Sequence, residues 1–171
     1  MNRRPFLKSG TALIGVTFLQ ACGFKLRGTQ TFAFNTIAVE ASPMGAVTTE
    51  LRKALGSQLF VNTATSQAGT LPVAQVTMDI LQEVRERAVA GVNAAGQVRE
   101  LQLRIRVKFR LRNARGKDLI EETEILQQRD ISFSESAVLA KEVEEALLYK
   151  NMQTDIVQQL LRRLAAVKSI A

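Results

Sequence analysis

The sequence predicts an α+β fold: one four-stranded mixed sheet, in the order strand, helix, three-stranded antiparallel meander, helix, with both helices on one face. Three observations carry that expectation. Leu101, Leu103, Ile105, Val107, Phe109 and Leu111 alternate with Gln102, Arg104, Arg106, Lys108, Arg110 and Arg112, a period of two that only a strand sustains. Val47, Leu51, Leu55 and Leu59 recur every four residues, as one stripe of a helix does. Met152, Ile156, Leu160 and Leu164, with Val157 and Leu161, repeat that signature near the end of the chain.

Each element follows in order. Phe32 to Glu40 mixes aromatic and β-branched residues and reads as a first strand. Ser42-Pro43 has the character of an N-cap followed by proline at the first helical position, so the first helix is expected from there to about Leu59. Asn62 to Thr70 is small and polar, hence a loop. Val76, Met78 and Ile80 alternate with Thr77 and Asp79 until Ile80-Leu81 breaks the period, which predicts a bulge or twist in a strand reaching Val89.

Gly91 to Gly96 is the first turn of the meander and Asn113 to Asp118 the second, with Leu119 to Phe133 returning antiparallel. The strand between the turns spans ~40 Å at ~3.4 Å per residue and carries one greasy and one cationic face. A turn symmetrical about Arg115 places Arg106 opposite Glu124, Lys108 opposite Glu122 and Arg112 opposite Asp118, which leaves Arg104 and Arg110 facing Leu126 and Ile120. The paired cations then read as cross-strand ion pairs. Arg104 and Arg110 read as contacts for a partner or a ligand. Ala137 to Val167 is the long last helix, with a break considered near Leu148-Tyr149.

The N-terminus has a different logic. Met1 to Gly10 carries Arg3, Arg4 and Lys8, Thr11 to Leu19 is apolar, and Leu19-Gln20-Ala21-Cys22 closes the stretch, which is a signal-peptide layout. The apolar run is shorter than the ~20 residues that cross a bilayer. Asn2-Arg3-Arg4-Pro5-Phe6-Leu7-Lys8 also looks like a twin-arginine export motif, and a general-export signal that happens to contain two arginines is the equal alternative. Residues 1–21 are therefore expected to be a signal peptide, 22–31 a tether, and 32–171 a single domain. Removing 21 of 171 residues leaves enough chain for one proper core. The formal charge of +7 falls to +4 without the three basic residues of the leader.

Composition excludes several functions. Histidine is absent and Cys22 is the only cysteine, so the usual general base, the Ser/His/Asp and Cys/His sets, an internal disulfide and a cysteine metal cluster all go. No cofactor and no enzymatic activity are expected. The basic pI of about 10.1 raises a nucleic-acid reading, which export and the single tyrosine, with no tryptophan, argue against.

Leu19-Gln20-Ala21-Cys22 resembles the lipobox of bacterial lipoproteins. Cys22-Gly23-Phe24-Lys25-Leu26-Arg27-Gly28, the Asn93 to Gln97 turn, and Leu139-Ala140-Lys141-Glu142 leading into Tyr149-x-x-Met152-x-x-Asp155-x-x-x-Gln159-x-Leu161-x-Arg163 resemble the LptE family of lipopolysaccharide-assembly lipoproteins. The resemblance implies N-acyl and S-diacylglycerol lipid on Cys22, and outer-membrane sorting, since Gly23 stands where a retention signal would resemble Asp. It also implies a plug inside the LptD β-barrel that aids barrel assembly and lipopolysaccharide delivery. A lipid-anchored carrier of another anionic lipid, acting without a barrel, is the alternative.

Lys141 lies in the first turns of the last helix, where the dipole disfavours a cation, so an anion is expected to compensate it. Lys141, Arg99, Arg129 and Asn93 are thus candidates for a lipopolysaccharide phosphate, against a lysine balanced by Glu144 and Glu145. Tyr149, Arg104 and Arg110 are candidates for barrel or ligand contact.

Overall fold

A computed structural model describes residues 30–41, 43–57, 60–62, 73–134 and 138–171. The expected leader, Cys22 and most of the tether lie outside the described residues. Strand β1 (Thr36–Ala41) leads into helix α1 (Ala46–Gly56), then come β2 (Phe60–Asn62), β3 (Val76–Val92), β4 (Val98–Asn113), β5 (Asp118–Ser132) and helix α2 (Val138–Ala166). The sheet order is β2-β1-β3-β4-β5, with β1 parallel to both neighbours and β3, β4 and β5 antiparallel. The expected mixed sheet and meander are present. The short β2 adds an edge beside β1, because the chain crosses over through α1 and returns parallel to β1.

The core forms on one face. Ile37 and Val39 of β1, Val76, Met78 and Ile80 of β3, and every apolar residue of β4 from Leu101 to Leu111 are buried with Val47, Leu51 and Leu55 of α1 and Tyr149 to Leu164 of α2. Full burial of one such aliphatic or aromatic side chain contributes roughly 1.5–3 kcal/mol, so this continuous cluster is what holds both helices to the sheet. The other face carries the β4 cations. Helix α2 is continuous through Leu148-Tyr149, without the break that the sequence raised.

Both meander turns are built alike, by Asn-Ala-x-Gly. Asn93 Oδ1 accepts the backbone N–H groups of Ala95 and Gln97, and Asn113 Oδ1 accepts those of Arg115 and Lys117. Gly96 and Gly116 take positive φ, 79° and 83°, the left-handed position that such hairpin loops need.

The bulge falls where the broken period placed it, between Ile80 and Gln82. Its consequence is a change of face: Ile80 points into the core, Leu81 is exposed, and from Glu83 onward the odd residues of β3 point toward the helices. Glu83 is thereby aimed at the start of α1, where Val47 N–H (2.8 Å), Thr48 N–H (3.1 Å) and Thr48 Oγ1 (2.8 Å) donate to its carboxylate. This replaces the expected cap: α1 begins at Ala46 behind Gly45, not at Pro43, and its orphan donors are satisfied by a distant strand. A Cβ on Gly45 would lie 2.0 Å from the Glu83 carboxylate carbon. Glycine stands there for space, because its backbone is extended.

Candidate functional site

The cationic face of β4 is the most strongly patterned surface of the chain. A register shift between Phe109 and Leu111 changes the expected pairing with β5. Arg112 lies opposite Asp118 as expected, but Lys108 lies opposite Glu124, Arg106 opposite Leu126 and Arg104 opposite Gln128. Ile120 pairs with Leu111 and not with Arg110. One irregularity in an antiparallel ladder displaces every pair beyond it, and the alternation within a single strand carries no trace of that.

The ion pairs follow the true register. Lys108 Nζ is 4.0 Å and Arg106 Nη1 3.6 Å from Glu124 carboxylate oxygens. Arg110 and Arg112 converge on Asp79 of β3: Arg110 Nε at 2.7 Å, Arg112 Nε at 2.8 Å and Arg112 Nη2 at 2.9 Å. Burial raises the Asp79 carboxyl, yet the hydrogen bonds and charges of Arg112 and Arg110 outweigh it and hold the group below the usual carboxylate range. The Asp79 hydrogen bond and charge raise Arg112 in return. Arg110, expected to face an apolar neighbour, is committed to Asp79 while 40% of its side chain stays exposed. Arg104 donates to Gln102 Oε1 and makes no ion pair among the described residues.

At the far end of the sheet the other candidates separate. Lys141 Nζ donates to Ser132 Oγ (2.9 Å) and to Glu144 Oε2 (2.8 Å). Glu145 instead meets Arg87 of β3 at 3.4 Å. Arg129 Nη2 lies 3.4 Å from Asp155, fourteen residues along α2 from Lys141 or ~21 Å at 1.5 Å per residue. Asn93 is occupied in its turn, its Nδ2 donating to Gln97 Oε1, and Arg99 leans on the same Gln97 oxygen at 3.4 Å. Asn93 and Arg99 thus meet on Gln97, whereas Lys141 and Arg129 are held by separate contacts of their own. Tyr149 is buried at 2% exposure, donates its hydroxyl to the Glu86 carbonyl at 2.6 Å, and carries the Arg85 guanidinium 3.4 Å over its ring.

Sequence reasoning missed Asp79 as the hub of two arginines, and Arg85. Asp79 had a legible signal: it is an acid at an alternating position of the strand that neighbours the cationic one.

The sequence model of the LptE family, described as lipopolysaccharide-assembly, matches residues 34–164, which takes in every element from β1 to nearly the end of α2. The chain belongs to the LptE family. Its fold is similar to the solution structure of an uncharacterized lipoprotein B from Nitrosomonas europaea, at 31% identity and TM-score 0.66, over 84% of this chain and 91% of that one. It is similar also to rare lipoprotein B from Shewanella oneidensis, at 22% identity and TM-score 0.61 over 77% and 95%, and to a minor lipoprotein from Acinetobacter baumannii, at 16% and 0.60 over 80% and 94%. These last two bear on the fold alone. No significant match is found among curated proteins.

Membership makes this LptE-family chain a lipopolysaccharide-assembly lipoprotein, in a family that is not enzymatic. Among the described residues no helix is long and apolar enough to cross a membrane.

Proposed function

We propose that this LptE-family protein is anchored in the outer membrane through lipid on Cys22, plugs the lumen of the LptD β-barrel, helps that barrel assemble, and assists delivery of lipopolysaccharide to the outer leaflet. The family match over residues 34–164 carries the reading. The charge pattern supports it. A barrel lumen is polar, and the face of the sheet away from the helices is polar along the whole length of β4. On that face Arg106, Lys108, Arg110 and Arg112 share two carboxylates, Glu124 and Asp79, so the row keeps a positive excess able to meet phosphate. Lipid on Cys22 would hold the domain at a bilayer with no protein segment crossing it, each buried methylene contributing ~0.8 kcal/mol.

The test is co-purification of the full-length chain from solubilised outer membrane. A stoichiometric complex with a large barrel identified as LptD is expected. A chain that comes out of the membrane alone, with lipid attached, overturns the plug and leaves a carrier of another anionic lipid. Lys141 tests the cargo: Lys141→Glu is expected to weaken lipopolysaccharide binding while barrel association is retained, because among the described residues Lys141 bonds only Ser132 and Glu144. Unchanged binding removes Lys141 from the site.

A further inference from the structure

Helix α2 outruns its neighbour. Thr154 Oγ1 donates to Glu50 Oε1 in the second turn of α1, at 2.9 Å, so the two helices run side by side from about there toward the C-terminus of each. Helix α1 begins at Ala46, above Glu83 of β3, so it does not run beside the earlier turns of α2. Strand β1 has also stopped, its last pair being Ala41 with Ile80.

The residues on the uncovered flank are apolar. Leu139, Val143 and Leu147 follow one another at four-residue spacing and are 80%, 72% and 57% exposed. At ~100° per residue they lie within ~80° of one another, on one side of the helix. Seven residues on, Leu147 is followed by Thr154, which bonds α1, and then by Leu161, which is buried. Val143 is followed by Lys150 and then by the buried Val157. The stripe is therefore the α1-facing flank of α2 continued beyond the N-terminal start of α1. It is ~12 Å long from Leu139 to Leu147.

A cation stands at its inner end. Arg85 rises from β3 beyond the start of α1 and stacks on Tyr149, which lies ~3 Å past Leu147 along the axis of α2 and is turned toward the sheet. Its neighbour Arg87 is neutralised by Glu145, but Arg85 makes no ion pair among the described residues. Stacking holds the planar guanidinium in place while Arg85 stays exposed.

We propose that this flank holds an acyl chain of a phosphorylated lipid, its hydrocarbon along Leu139, Val143 and Leu147 and its phosphate on Arg85. Two other occupants fit worse. A barrel lumen is polar and gains nothing from an apolar stripe. Three side chains expose far less than the ~800 Å² per partner of a stable protein interface. An amphiphile with one anionic group and one narrow chain matches both features. This deepens the functional reading above and rests on it, since lipopolysaccharide is the cargo that has this chemistry.

A photo-crosslinking amino acid placed at Val143 of the full-length protein in cells tests the flank, with the same group at Gln128, opposite Arg104 on the cationic face, as the reference. Both sites are exposed and outside the core. The expected result is a lipopolysaccharide adduct at Val143 that falls about tenfold with Arg85→Gln, the loss of one charge-assisted contact. Lipopolysaccharide adducts at Gln128 but none at Val143 overturn the flank and leave lipopolysaccharide delivery standing. A protein adduct at Val143 overturns it too, by showing a polypeptide there. Absence of lipopolysaccharide adducts at both positions overturns the delivery reading as well.

Discussion

Glu83 and Gly45 form a pair whose energetics can be worked from geometry alone. The Glu83 carboxylate accepts from two backbone N–H groups and one hydroxyl at the start of α1. Hydrogen bonds to a charged group contribute roughly 1.5–3 kcal/mol net, and a carboxylate at a helix N-terminus adds ~0.3–1 kcal/mol. Glu83→Ala is therefore expected to cost ~2–4 kcal/mol. Gly45→Ala should cost nearly as much for the same reason, because its Cβ would meet the carboxylate carbon at 2.0 Å and expel it, while the extended backbone itself admits alanine. Once Glu83 is alanine the obstacle is gone. Gly45→Ala in that background should then be close to neutral, so the two changes are strongly non-additive, with a coupling of ~2 kcal/mol. Urea unfolding of the four proteins, at constant m-value, measures the cycle. In a domain of about this size each kcal/mol moves the Tm by ~2–4 °C. Additive costs within ~0.5 kcal/mol would refute the steric argument, and a harmless Glu83→Ala would refute the cap.

Other expectations follow from the polar face and the leader. Asp79→Asn should destabilise by ~2–3 kcal/mol at neutral pH, below the cost of breaking a fully buried pair because Arg110 and Arg112 are partly exposed. The native carboxyl is held low, so its contribution is complete above the unfolded value near ~3.9 and is lost as pH falls through the lower native value. The gap between wild type and Asp79→Asn should therefore close only in acid, below about pH 4, and a gap that does not change with pH in unfolding titrations would sink the assignment. Replacing Arg3 and Arg4 together by lysine keeps the leader's charge. Accumulation of uncut precursor in the cytoplasm is expected for a twin-arginine signal, and undiminished export would show the general route. Cys22→Ser should release the chain from outer-membrane fractions, as mass spectrometry and fractionation would register.

The extent to which the fold could be read depended on how local its causes are. Strand β4 and helix α2 were legible because alternation and four-residue stripes are properties of a single segment. The bulge was legible for the same reason, since Ile80-Leu81 breaks a period. Strand β2 was not, because three residues carry too little pattern to distinguish them from the end of a helix. The start of α1 was misplaced toward Ser42-Pro43: a capping group 36 residues away leaves no mark beside the helix, whereas a local serine does.

The site residues show the same division more sharply. A cation row in one strand states how many charges lie on a face, but it cannot state which are already answered. Arg106 and Lys108 share Glu124, and Arg110 and Arg112 share Asp79, so the carboxylates are each divided between two cations and neither pair is electrically closed. Arg104 lies opposite Glu86 of β3 and, among the described residues, donates to the Gln102 amide without making an ion pair. Exposure of 30–40% for Arg106, Lys108, Arg110 and Arg112 leaves their outer donors available, while the shared carboxylates fix the side chains in place. An anion approaching this face would meet cations already oriented and would forgo little of their side-chain entropy, which for arginine or lysine is ~2 kcal/mol each. Pairing inside the protein and readiness for an external phosphate are thus compatible on β4. A sequence reading that assigns each cation to one use or the other poses a choice that the geometry does not require.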